Sequence, residues 1–385
     1  MRICFLADSE SVNTRSWVNH FAQVLGHDVH VVSVNRRGTL APAVTLHHLG
    51  SDRGTQSLLG KAALLWNVGR IRALVAAIQP DIVVGYRVTS YGFLGALSGF
   101  HPLAVAAQGQ NIVNPWRSLP KRACARAAIR SADLLNSWAP HMTERLIELG
   151  ADPAKILTVP RGIDPGRFRR PERPASDPVA ISTRSLDPYY RVDVIVRAIA
   201  LARREVPSLT CTVVGGGDAA GSLTRLAAEL NQADGVRFVG EVDRDTLPSL
   251  LGESAIYVSA VPTDGVSASL LEAMACGCFP VVRDNVSNRH WLEDGMGGFL
   301  VGSDRPEEYA AAIARAWNDP ALRTRAAESN RRVIEERGDL SKNMRTIEAA
   351  WERLVERFGG ARRPAGRERV ADRRFLAHPP AEGRG

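Results

Sequence analysis

TDGVSASLLEAMACGCFPVV, residues 263–282, reads as a strand-to-helix loop, a helix and a buried strand in succession. Asp264 and Gly265 close the loop. From Val266 to Met274 the chain opens a helix whose first turns hold the small residues Ser267, Ala268 and Ser269. FPVV (279–282) is continuously apolar, as a strand covered on both faces must be. Free backbone N–H groups at such a helix start, with the helix dipole behind them, form a cradle for a diphosphate. Glu272 follows Asp264 by eight residues and lies too deep in the helix to cap it, so its carboxylate faces solvent or a ligand.

Upstream, short apolar runs alternate with helical patterns. Strands are expected at VAIST (179–183), LTCTVV (209–214), VRFVG (236–240) and AIYVSA (255–260), with helices near 192–204 and 222–231. The first half has the same rhythm: ICFLA (3–7), VHVVSV (29–34), IVVG (82–85) and LAVAA (103–107) read as strands, with helices near 66–78 and 90–98. Residues 156–178 interrupt the pattern with five prolines and no amphipathic period, which marks a domain break. Beyond Pro306 the chain reads as helical to Phe358, with a stop at Asp319-Pro320. The expectation is two doubly wound α/β domains with a ligand cleft between the carboxyl ends of their strands.

Length and composition agree. At 385 residues the chain exceeds one ordinary core, and 45% hydrophobic with 23% charged residues excludes wholesale disorder. No apolar run approaches the roughly 20 residues that cross a bilayer. MRICFLADSE turns acidic at once and reads as a first strand rather than a cleaved leader. Cys4, Cys124, Cys211, Cys276 and Cys278 form no CxxC pair, so neither a disulfide framework nor a zinc site is indicated and a cytoplasmic setting is expected. Half of the net charge of +8 falls in the Gly-, Pro- and Ala-rich tail 361–385, read as disordered and solvated rather than as a nucleic-acid arm.

An acid, seven residues, a Glu, then AMACG and a PVV strand together resemble the donor-site signature of the retaining GT-B glycosyltransferases of the GT4 (group 1) family. TVPRGIDPGRF (158–168) resembles the interdomain linker of that family, STRSLDPYYRVDVIVRAIA (182–200) its donor-domain opening, and RFVGEV (237–242) its base-binding strand and loop. The resemblance implies a GT-B architecture: an acceptor domain over 1–165, a nucleotide-sugar domain over 166–340, a helix over 341–358 crossing back, and the tail 359–385.

It also implies roles. Arg184 would neutralise the departing phosphate, where negative charge grows in the transition state. Asp264, with the amides of Gly265, Val266 and Ser267, would hold the sugar hydroxyls and the reacting face. The amides of Ala268 and Ser269 would hold the diphosphate, and Glu272 would accept from two ribose hydroxyls. Arg191, Gly215, Gly216 and Val242 complete the implied donor site. Two residues depart from the commoner pattern: Asp264 stands where Glu is usual, and Tyr190-Arg191 where a Lys follows the Arg. Arg191 can still supply positive charge there. Charge neutralisation by arginines and helix amides implies no cofactor and no required metal.

The acceptor side departs further. VGYR (84–87) stands where related transferases have HAH-like residues, and AQGQN (107–111) where they have AWGSD. Tyr86, Gln108, Gln110 and Asn111 can hydrogen-bond a sugar but cannot act as a base near neutral pH. Ser9, Ser11, Asn13 and Arg15 of the first loop would face the cleft. Arg117, Lys121, Arg122, Arg126 and Arg130 would form a basic stripe on a helix over 118–131, suited to an anionic membrane and a lipid-linked acceptor, with Ala123, Cys124, Ala127 and Ala128 against the sheet.

The implied activity is transfer of a hexose-type sugar, with retention, from a nucleotide-diphosphate sugar to a glycan or lipid-linked acceptor hydroxyl in cell-surface glycan or glycolipid synthesis. The alternatives are a nucleotide-sugar-binding partner with little turnover, a same-fold epimerase, and a dehydrogenase suggested by VVGGGDAAG (213–221).

Overall fold

The computed structural model describes residues 1–34, 40–49, 67–108, 112, 118–172, 175–243 and 245–359. Gln110, Asn111, Arg117, Trp66 at the start of the helix expected near 66–78, and the basic tail therefore lie outside the described residues.

Two wholly parallel sheets carry the fold. The first joins β1 (Arg2–Leu6), β2 (Asp28–Ser33), β3 (Val44–His48), β4 (Ile82–Tyr86), β5 (Leu103–Ala107), β6 (Leu134–Ser137) and β7 (Ile156–Thr158) in the order β3-β2-β1-β4-β5-β6-β7. The second joins β8 (Val179–Ser182), β9 (Thr210–Val214), β10 (Val236–Gly240), β11 (Ile256–Ser259), β12 (Phe279–Arg283) and β13 (Phe299–Val301) in the order β10-β9-β8-β11-β12-β13. Strand order reverses between β1 and β4 and again between β8 and β11. Those are the points where loops diverge and a crevice opens at the carboxyl ends. The central strands are buried throughout, for example Ile82–Tyr86 and Leu103–Ala107, which explains their unbroken apolar sequences.

Arg283 ends β12 beside Asp304, and the helices Pro306–Asn318 and Pro320–Val333 follow, with Asp319 capping the second through Leu322 N at 2.8 Å. The final helix, Leu340–Gly359, buries Met344, Ile347, Trp351 and Leu354 in the core of the first sheet. Trp351 stacks on Phe21 at 4.7 Å and donates to Asn136 Oδ1 at 3.2 Å, while His27 pairs with Glu348 at 2.6 Å.

The chain thus passes between the halves twice, and the two passages are tied together. Ile163 N donates to Gly338 O at 2.8 Å and Leu340 N to Ile163 O at 2.9 Å. Gly162 makes this possible: its φ is +77°, and a Cβ would collide with the Gly338 carbonyl.

Candidate active site

The Ala268–Cys276 helix begins at the carboxyl end of β11, and its N-cap is Ser267, whose hydroxyl accepts from Leu270 N at 3.3 Å. Asp264 is therefore not the cap. Its Oδ1 accepts from Gly265 N at 2.8 Å and its Oδ2 from Arg184 Nη2 at 2.8 Å.

Arg184 follows β8 across the switch point and is 9% exposed. Its Nη1 donates to Ser267 Oγ and Ser269 Oγ, both at 2.8 Å, and its guanidinium lies 4.7 Å from the centre of the Tyr190 ring. Tyr257 hydroxyl and Ser269 Oγ are 2.9 Å apart beneath it. Burial opposes the charge of Arg184, yet the facing Asp264 carboxylate wins and its pKa is raised. Two residues eighty positions apart in sequence, both read as chemistry-bearing, meet as one ion pair.

A cavity of about 330 Å³ opens over this pair, lined by Asp264, Val266, Ala268, Ser269 and Glu272 on the helix side, by Thr183 and Arg184 after β8, and by Asn13, Trp138 and Arg161 opposite. A second cavity of about 270 Å³ shares Arg161, Gly162 and Glu272 with it and extends along Arg15, Asn19 and His20. Around the first cavity, Trp138 Nε1, Arg161 Nη1, Thr183 Oγ1 and Arg184 Nε are buried without a hydrogen-bond partner. Orphaned donors at one site ask for a ligand rich in acceptor oxygens. The first amides of the helix, those of Ala268 and Ser269, have no acceptor within it either.

The other sequence-derived candidates among the described residues do not line this cavity. Gly215 and Gly216 lie under the Arg184–Leu186 backbone: Gly215 has φ +139° and no room for a Cβ against the Arg184 carbonyl, and Leu186 N donates to Gly216 O at 2.8 Å. Gly215 and Gly217 of VVGGGDAAG let the chain pack against the Arg184 and Leu186 backbone. Val242 packs in the apolar cluster beneath the helix, and Gly265 gives its amide to Asp264. Arg191 does not line the cavity; its Nη1 pairs with Asp304 at 2.5 Å. Tyr86 is buried against Trp17, and its hydroxyl donates to Asn13 O at 3.3 Å. Ser9 and Gln108 are buried and Ser11 is half-buried at the start of the Val12–Asn19 helix.

Residues that the sequence reading missed are Thr183, directly after β8, and, from the other side of the cleft, Trp138, Arg161 and His141. His141 lies beside the Asp264 backbone, where burial keeps its pKa below 6.5. Nothing local marks Trp138, Arg161 and His141, because only the packing of the two halves brings them to the site. Among the described residues no group of three or more His, Cys, Asp or Glu is placed to hold a metal ion. Burial pushes the thiols of Cys4, Cys211 and Cys276 up to about 12, so they are not nucleophiles.

Two facing doubly wound sheets with an arginine-carboxylate pair at a helix start define the GT-B architecture. Residues 2–137 match the model of glycosyl transferase 4-like proteins and residues 166–333 that of glycosyl transferases group 1. The chain is thus related to the group 1, GT4-type glycosyltransferases of GT-B fold.

It is 35% identical over 227 residues to a D-inositol 3-phosphate glycosyltransferase of Kineococcus radiotolerans, covering 51% of this chain and 52% of that one. It is 26% identical to a GDP-mannose-dependent alpha-(1-6)-phosphatidylinositol monomannoside mannosyltransferase of Mycolicibacterium smegmatis, covering 60% and 67%. The matched stretch spans about half the length of several such curated relatives. In fold it is similar to Anabaena Alr3699/HepE, solved with UDP and glucose (TM-score 0.77, 18% identity, 92% of this chain and all of that one). It is likewise similar to the sucrose-phosphate synthase of Thermosynechococcus elongatus (TM-score 0.78, 17% identity, 93% and 100%).

Proposed function

We propose that this chain transfers a hexose from a nucleotide-diphosphate sugar to an acceptor hydroxyl with retention at the anomeric carbon. The observation that carries the proposal is the cavity in which Arg184, Asp264, Glu272 and the helix start converge with four buried, unpartnered polar atoms. A diphosphate matches the amides of Ala268 and Ser269 in charge and geometry. Glu272 suits two adjacent ribose hydroxyls, and Asp264, fixed by Arg184, faces the sugar. In the transfer the bond from the anomeric carbon to the phosphate oxygen breaks. The acceptor oxygen bonds to that carbon from the same face, and the departing phosphate oxygen takes the acceptor's proton. No protein base is needed, which fits the buried Tyr86.

The names of the curated relatives support an inositol phosphate or a phosphatidylinositol mannoside as the first acceptors to try. Contact of the Leu119–Ser131 helix with an anionic membrane belongs to the same reading. Among the described residues no helix is long and apolar enough to cross a membrane.

The test is a thermal-shift and transfer panel of UDP-, GDP- and ADP-hexoses, run with and without excess chelator. One donor class should raise the melting temperature, turnover should survive the chelator, and Glu272→Ala should abolish the shift while changing the unliganded stability by less than about 1 kcal/mol. A panel in which no nucleotide sugar shifts the wild-type melt refutes the donor site.

A further inference from the structure

We infer that Arg161, on the linker between the two sheets, supplies the second positive charge that holds the donor diphosphate; the inference rests on the donor reading above. The residue expected to do this from sequence, Arg191, is engaged by Asp304 at 2.5 Å and lines neither cavity. Arg184 is close to the helix start, but its charge is balanced by Asp264 at 2.8 Å.

Charge counting makes the gap plain. The cavity of about 330 Å³ is lined by two cations, Arg161 and Arg184, and two anions, Asp264 and Glu272. Without Arg161 the lining is net negative and repels a diphosphate. With it, the lining is neutral before the helix dipole is added.

Arg161 is also built for the task. It is 7% exposed, and its Nη1 is buried with no hydrogen-bond partner. A guanidinium donor withdrawn from water and left unpaired is costly unless a ligand oxygen completes it. Its backbone is held on both sides. Pro160 precedes it, and Gly162 after it is locked against the Gly338 carbonyl, with Ile163 tied to Gly338 and Leu340. Arg161 is the one cation common to both cavities among the described residues. It therefore stands where the two halves of the molecule meet a single ligand.

The experiment is calorimetric titration of wild type, Arg161→Ala and Arg161→Lys with UDP, GDP and ADP, set against uridine, guanosine and adenosine at millimolar concentration. Arg161→Ala should weaken the preferred nucleoside diphosphate by about ten- to a hundredfold, leave the matching nucleoside within about threefold, and flatten the salt dependence of diphosphate binding. Arg161→Lys should recover part of the loss. If Arg161→Ala does not fold, Arg161→Gln carries the same comparison.

Diphosphate affinity within about threefold of wild type overturns the inference. So does an equal loss of nucleoside and diphosphate, the pattern of a purely structural role. If the wild type takes none of the three nucleotides, the donor reading itself fails and this inference with it. Wild-type binding with an unaffected variant removes only the role of Arg161.

Discussion

Arg184 shows how tightly chemistry and stability are joined at this site. One side chain serves a carboxylate and two serines, and all four groups are buried or nearly so. Removing one partner of a buried ion pair leaves the other charged and dry, which costs about 3–5 kcal/mol. Arg184→Ala should therefore lower the melting temperature as well as abolish transfer, whereas the half-exposed Glu272 should separate binding from folding. Thermal melts of both variants without ligand check this; an Arg184→Ala protein as stable as wild type would show that the pair is not formed in solution. The pair was legible in sequence residue by residue, since Arg184 and Asp264 each follow a strand of the expected rhythm. Their mutual contact was not, because spacing along the chain carries no information about which loops meet at a switch point. Arg161 and His141 were illegible for a stronger reason: each is an ordinary polar residue in its own segment and acquires its place only from the opposite half.

At the level of elements, most strands read correctly are buried on both faces, although the edge strand β10, VRFVG, is read correctly while largely open to solvent. β1, β4, β5 and β12 have unbroken apolar sequences because helices cover them on each side. The missed strands are short or half-covered: β3 is the partly exposed VTLHH at a sheet edge, β6 is the four-residue LLNS, β7 and β13 have three residues each, and Ile156–Thr158 was taken into the proline-rich break. The Leu119–Ser131 helix illustrates the same limit. It buries Ala125, Ala128 and Ile129, while Ala123, expected against the sheet, is exposed. Its outer face carries Lys121, Arg122, Arg126 and Arg130, and Leu119 beside them is 75% exposed. Each such cation near an anionic bilayer contributes about 1 kcal/mol, so four make binding measurable at low salt and weak at high salt. Sedimentation with anionic vesicles should pull the protein down, neutral vesicles should not, and charge reversal at Lys121, Arg122 and Arg126 should release it. Failure to sediment with anionic vesicles at low salt removes membrane contact from the functional reading.

Across the whole molecule, the contact between the halves carries a pH dependence whose sign follows from its histidines. His20 lies at the cavity beside the linker, His141 beside Asp264, and His290 close to both Arg337 and His141. Burial lowers all three below 6.5, with Arg345 adding to the effect at His20 and Arg337 taking His290 down to about 4. His30 and His47, stacked at the edge of the first sheet, are lowered by burial as well. A histidine with a depressed folded-state pKa is neutral in the native protein while its unfolded counterpart takes up a proton at about 6.5. The unfolded chain then binds more protons, so stability falls as pH drops below 6.5, and for His290 the loss levels off near 4. Carboxylates such as Asp284, held below 3.8 by its hydrogen bonds from Arg289, act only further down. Melting temperature should hold steady above neutrality and decline between pH 6.5 and 4. His290→Gln should shrink that decline, since the largest of these shifts is removed. A melting temperature that is flat or rises through this window would mean that these histidines are solvated, and that the two halves are less closely packed around the site than the ties at Gly162 and Ile163 require.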